Sequence, residues 1–243
     1  MQKLDDLQLA LGAPYVLNKH ITIKQPKIDN IMRFGEERYF RALAVVTSIP
    51  SDSISMLADL GIDWEKISDF EYFMLAQNTM GDEECNFFFD GVRFSEYRPA
   101  LNDNGDRVLK NVLNGSIIDP YVYNEIATFI RKVHGIKPKI IKAGNALTKK
   151  KLIEIDRLDR NAAKNDNKSQ LYPLISSLVN SAGFKYNWSS VGELTYYQLV
   201  DSLRRVSTIK HADALTNGAY CGMVNMKKIP KEEFNWMRDL NNN

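Results

Sequence analysis

The chain has 243 residues, of which 44% are hydrophobic and 10% aromatic, enough apolar surface to bury a core and too much for a disordered chain. Thirty-two Lys and Arg stand against thirty Asp and Glu, so the net charge of +2 exerts no global pull toward nucleic acid or an anionic membrane. Two cysteines, Cys85 and Cys221, make no disulfide framework and are expected to be free, mostly buried thiols, and three scattered histidines (His20, His134, His211) leave little from which to build a zinc site.

In chain order, the opening MQKLDDLQLALGAPYV places Asp5 and Asp6 before a short apolar run, which is not the pattern of a signal peptide. No later stretch approaches the roughly 20 apolar residues that span a bilayer, so no membrane partner is expected. HITIKQ at 20–25 alternates as a short strand that Pro26 stops. From Pro26 to Ile49, Ile28, Ile31, Phe34, Tyr39, Leu43 and Val46 recur at helical spacing, with Gly35 marking close packing or a kink. After Ile49–Pro50, Ser51 or Asp52 is expected to cap a helix that Gly61 ends. Ser68 and Glu71 form a capping box opening a helix over 68–78. CNFFFDGVRFSEY then reads as two short strands around Asp90–Gly91, and the Asn-, Asp- and Gly-rich run to Pro120 as turns or a second small hairpin.

Asp119–Pro120 introduces a helix with Val122, Ile126, Phe129, Ile130 and Val133 on one stripe and Gly135 as its stop. IKPKIIKAGNALTKKK reads as a connector, 148–164 as a helix and KNDNKS at 164–169 as a loop. LYPLISSLVNSAG is a helix with Pro173 in its first turn, and 192–220 supplies one long helix or two joined near Ser207–Thr208. EEFNWMRDL closes the chain as a short amphipathic segment. The expected fold is mainly α with a small β-hairpin or insertion (α+β). Residues 1–80 form a short strand plus helical subdomain, 81–118 a β-rich insertion or arm, and 119–243 a C-terminal helical region.

No local arrangement reads as a catalytic centre, and no catalytic, cofactor-binding or metal-binding residue is assigned. Asp82–Glu83–Glu84 reads as a solvated acidic turn, and NDNGD at 102–106 lacks the spacing and final glutamate of an EF-hand. Glu36 and Glu37 read as surface carboxylates, with Glu37 set to pair with Arg41 at i,i+4. Ser189–Ser190 lacks the G-x-S-x-G setting of a nucleophile, and either serine is placed to cap a helix before Glu193. Lys137, Lys139, Lys142, Lys149, Lys150 and Lys151 form the densest cationic run, a candidate polyanion contact. With no aromatic residue between Phe129 and Tyr172, a solvated connector or an acidic protein partner is favoured over nucleic acid. Two groups are candidate protein interfaces. Tyr196, Tyr197 and Leu199 with Arg204 make an aromatic helical stripe, and Phe87, Phe88 and Phe89 would point to both faces of a strand, leaving one ring exposed on a hairpin arm.

Two stretches also carry a resemblance. ALGAPYVLNKHITIKQPKIDNIMRFGEERYF, through Ile21, Ile23, Lys24, Pro26, Ile28, Ile31, Gly35 and Glu36, resembles the start of tail-region proteins encoded by phages and prophages of Gram-positive bacteria. WSSVGELTYYQLVDSLRRV is similar to the stretch where an LTYYQ helix begins in such proteins, here Leu194–Gln198. The nearest label is a tail assembly chaperone-like protein. The resemblance implies a mainly helical, non-enzymatic protein without cofactor that acts by protein–protein contacts with phage tail proteins, among them the tape measure protein, in the bacterial host cytoplasm during assembly. The β-rich segment departs from small helical chaperones and leaves room for a structural subunit of the tail or baseplate, located in the virion tail. A homo-oligomer is compatible with either role, and a nucleic-acid-binding regulator using the lysine run is the remaining alternative.

Overall fold

The computed structural model describes residues 6–163 and 168–240; most of the loop expected at 164–169, with the helix end expected at Lys164, lies outside them. Among the described residues there are ten α-helices and two three-stranded antiparallel sheets, the mainly α fold with small β elements that the sequence predicts. No helix among them is long and apolar enough to cross a membrane.

α1 (Asp6–Ala10) leads into β1 (Tyr15–Asn18) and β2 (Ile21–Ile23), joined by a turn in which Asn18 Oδ1 accepts from the His20 and Ile21 amides. The helix expected from 26 to 49 is two helices, α2 (Ile28–Phe34) and α3 (Glu36–Thr47). Gly35 lies at φ +102°, where only glycine sits without strain, so its amide closes α2 on Ile31 while its carbonyl opens α3. Ser51 and Asp52, expected as caps, form a 3-10 turn (Pro50–Asp52) ahead of α4 (Ile54–Asp59). α5 (Asp69–Ala76) has the expected capping box, with Ser68 Oγ accepting from the Glu71 amide at 3.2 Å and Glu71 Oε2 accepting from the Ser68 amide at 3.1 Å.

The structure overturns the hairpin placed around Asp90–Gly91. Residues Asp82–Phe88 form α6, and only Phe89–Asp90 is strand (β3), pairing antiparallel with β2 through Thr22↔Asp90 and Ile23↔Phe89. Asp82, Glu83 and Glu84 occupy the first turn of α6, where carboxylates offset the positive end of the helix dipole. The second sheet comprises β4 (Tyr97–Leu101), β5 (Arg107–Asn111) and β6 (Ile117–Ile118) in that order. NDNGD is its first turn: Asn102 Oδ1 accepts from the Asn104 and Asp106 amides, and Gly105 takes φ +83°.

α7 (Pro120–His134) runs between the caps read from the sequence, with Asp119 accepting from the Val122 amide and Gly135 left-handed at the end. α8 (Ala146–Ala163) follows the connector, then α9 (Leu171–Val179) and α10 (Tyr196–Tyr220), a single 25-residue helix. Neither Ser189 nor Ser190 caps α10. Thr195 does, in a second capping box with Gln198. The close of the chain is a 3-10 turn (Lys231–Phe234).

One apolar cluster takes residues from all three sequence segments, from Leu9 and Ile31 through Phe73, Phe94 and Leu109 to Phe129, Leu178 and Leu199. A smaller cluster of Ile54, Leu57, Trp64 and Tyr72 lies beneath Leu152 and Ile153 of α8. Cys85 is buried, its thiol pushed up to about 11 chiefly by desolvation, whereas Cys221 is exposed, contrary to the expectation of two buried thiols. It is the residue that follows α10.

Candidate protein-binding groove

Most of the residues proposed as interfaces are structural. Phe88 is fully buried and stacks on Tyr39 with ring centroids 5.4 Å apart; Phe89 is fully buried against Phe94; Phe87 packs half-buried on Phe34 at 4.0 Å. A helix separates neighbouring side chains by about 100°, and the change to strand at Phe89 turns the third ring again, so the three rings fill three parts of one interior. Tyr197 and Leu199 are buried as well. Tyr196 lies over His134 at 4.7 Å between centroids. Arg204 is exposed, and its guanidinium lies against Gly135, where the carbonyl end of α7 favours a cation. No free interface patch forms from these seven residues.

The two stretches that carry the resemblance meet in space. The Ile28 amide donates to the Leu194 carbonyl at 2.8 Å, the Tyr196 amide to the Pro26 carbonyl at 3.2 Å, and Gln198 Nε2 to the Ala10 carbonyl at 2.8 Å. Glu36 accepts from the amides of Gln170 and Leu171 and so caps α9. These residues join the two ends of the chain into one body.

Tyr39 and His134 are the most chemical-looking pair. The Ile130 carbonyl can only accept, so His134 Nδ1 carries the proton donated to it at 2.7 Å, and Nε2 accepts from the Tyr39 hydroxyl at 2.5 Å. Burial pushes the imidazole down to about 4 and the Tyr39 phenol well above its usual value. The pair is enclosed by Phe88 and Tyr196, so it serves as an internal hydrogen bond within the core.

The acidic triplet is tied down too: Arg38 binds Glu83 at 2.9 Å and Glu84 at 2.5 Å, and Ser95 Oγ donates to Asp82. Among the described residues no group of three His, Cys, Asp or Glu is arranged to hold a metal ion. The lysine run divides. Lys149 is drawn inward onto Asp63 (2.5 Å) and Glu65 (3.1 Å) over the Trp64 ring, while Lys137, Lys139, Lys142, Lys150 and Lys151 are exposed along the connector and α8.

The surface feature that the sequence did not reveal is an open apolar groove of about 520 Å³ between α5 and the β4–β5 hairpin. Met74 and Leu75 line its α5 wall, Pro99, Ala100 and Leu101 its β4 wall, and Ile62 and Ile67 complete the apolar lining. Glu71 and Arg107, 3.4 Å apart, bridge the walls. The Ser68 cap bonds, then the Arg107 charge, hold the Glu71 carboxyl below its usual range, so the bridge stays ionised at neutral pH. Leu75 is 50% and Leu101 69% exposed, a large apolar area to leave against water. The available signal was α5 itself, DFEYFMLA, in which six of the eight residues are apolar or aromatic, more than one core face can absorb.

Comparison with known proteins reaches only the C-terminal part. Residues 163–241 match a family model described as the YomV second domain. No curated protein and no solved structure matches the chain. The matched segment holds α9 and α10, whose Leu171, Ile175, Leu178 and Leu199 lie in the main core.

Proposed function

We propose that this chain acts as a protein-binding factor in phage or prophage tail assembly, chaperone-like in receiving an apolar segment of another tail polypeptide, with the tape measure protein as the first candidate. The assembly context rests on the resemblance of the 10–40 and 188–206 stretches to tail-region proteins. The single observation that carries the binding role is the apolar groove between α5 and β4–β5. β4 is the edge of its sheet, but Pro99 at its centre lacks an N–H, so the edge is a poor template for an added strand. An amphipathic helix laying apolar side chains into the groove is the better match, with Met74 adapting to its shape and Glu71 and Arg107 offering polar contacts at the bridge.

The test compares the wild-type chain with a Leu75→Asp/Leu101→Asp variant, each recovered from an induced host with its bound proteins identified and their ratio measured. Both positions are exposed, so folding stability is expected to stay within about 0.5 kcal/mol of wild type. Loss of a tail polypeptide from the variant alone supports the reading; equal recovery by both removes the groove from it. A fixed ratio of the chain in purified particles would instead favour a structural subunit of the tail or baseplate.

A further inference from the structure

α8 has two faces, and only one is explained by the fold. The inward face is docked on α4 and the segments on either side of it: Lys149 pairs with Asp63 and Glu65, Asp156 accepts from the Ser55 amide and hydroxyl, and Arg160 donates to the Asp52 carbonyl and Ser53 Oγ. The opposite face carries Leu147, Lys151, Glu154 and Leu158. Their i, i+4, i+7, i+11 spacing places them on one stripe about half a turn from Lys149, Asp156 and Arg160. Leu147 and Leu158 are 65% and 63% exposed. Lys151 and Glu154 are exposed as well, and among the described residues the ion pairs of α8 run through Lys149, Arg157 and Arg160 instead.

This stripe is its own complement. Its four positions are symmetric about the midpoint between Leu152 and Ile153. Laid antiparallel against an identical helix in that register, Leu147 faces Leu158 and Lys151 faces Glu154, and each match occurs twice. Ile155, also exposed, falls over the aliphatic stem of the partner copy's Lys150 in the same register. A parallel pairing in register would instead set Lys151 on Lys151 and Glu154 on Glu154, like charge on like, so the charge order selects the antiparallel arrangement.

We propose that α8 is a self-association surface, pairing antiparallel with α8 of a second copy across a two-fold axis. An isologous interface needs a self-complementary patch, which this stripe is. One helix face buries less than the roughly 800 Å² per partner of a standard interface, so the dimer is weak, with Kd on the order of micromolar or higher.

The test is analytical ultracentrifugation of the purified full chain over a concentration series, for wild type, Lys151→Glu and Glu154→Lys. Wild type is expected to shift from monomer to dimer mass as concentration rises. Each charge reversal places like charges opposite each other twice and is expected to hold the chain monomeric. An equimolar mixture of the two variants restores both opposite-charge pairs in a heterodimer and is expected to regain dimer mass. Both substitutions lie at exposed helix positions, and circular dichroism melting verifies that the variants fold. A wild type that stays monomeric throughout, single variants that dimerise like wild type, or a mixture that remains monomeric would each overturn the proposal.

Discussion

α7 and α8 are neighbours in sequence and similar in length, yet they are held by different forces. α7 has eight buried residues in its fifteen, including Ile126, Phe129, Ile130 and Val133, and touches the main core along most of its length. α8 has none in eighteen, and it is held by Lys149, Asp156, Arg157 and Arg160 above a small cluster to which it adds the half-buried Leu152 and Ile153. Apolar burial contributes about 1.5–3 kcal/mol per large side chain, whereas exposed ion pairs contribute roughly 0–1 kcal/mol each. Helical periodicity is visible in both segments, but only for α7 does it carry the fold. α8 is an attached element, which is also why one of its faces is free.

The sharpest break in this comparison is Phe129→Ala in α7 beside Ile155→Ala in α8. The first is expected to cost about 3–5 kcal/mol by denaturant unfolding and the second to stay within about 0.5 kcal/mol. Comparable losses from the two would mean that α8 is part of the core.

Next in size is acid sensitivity centred on His134 at the end of α7. Its imidazole is pushed down from 6.5 to about 4 by burial, so the unfolded chain binds the proton first as pH falls. Stability from this group is complete above about 6.5, declines on acidification and levels off below about 4, a total on the order of 3 kcal/mol. His134→Gln keeps an acceptor for the Tyr39 hydroxyl but does not titrate, and stability measured across that window should lose this part of its slope. An unchanged slope would show that His134 takes up a proton without unfolding.

A smaller effect is expected on α8. Asp156→Ala removes the acceptor for the Ser55 amide and hydroxyl and for Arg160. Loss of about 1–3 kcal/mol of local protection follows, read as faster hydrogen exchange across 146–163 with α7 unaffected. Smallest is Arg157→Ala, which breaks the exposed pair with Asp59 and should change global stability by less than about 1 kcal/mol.

Where a local signal carried the structure, the sequence was legible. Ser68 with Glu71 and Asp119 with Gly135 act over three or four residues or at a single backbone angle, so they marked the ends of α5 and α7 directly. CNFFF was misread because a short apolar run fits a strand and a buried helix equally well. Its acidic prefix, Asp82–Glu83–Glu84, was the sign of a helix start. Tyr196 and Tyr197 showed the correct helical stripe, but an apolar stripe does not say whether the body of the protein or a partner covers it. None of the groove was apparent, because Leu75 and Leu101 are brought together by the packing of α5 against a hairpin more than twenty residues away.

The amino-acid sequence alone determined the mainly helical class, the capped ends of α5 and α7, the break after Ile49 and the small β element, because propensity, capping and turn chemistry act between near neighbours. Tertiary structure decided that Phe88, Phe89, Tyr197 and Leu199 are interior and that α5 and β4 enclose a groove. It also decided that α8 keeps an apolar and charged stripe in water. Burial is a property of how distant segments close over one another, and no window of adjacent residues contains that information.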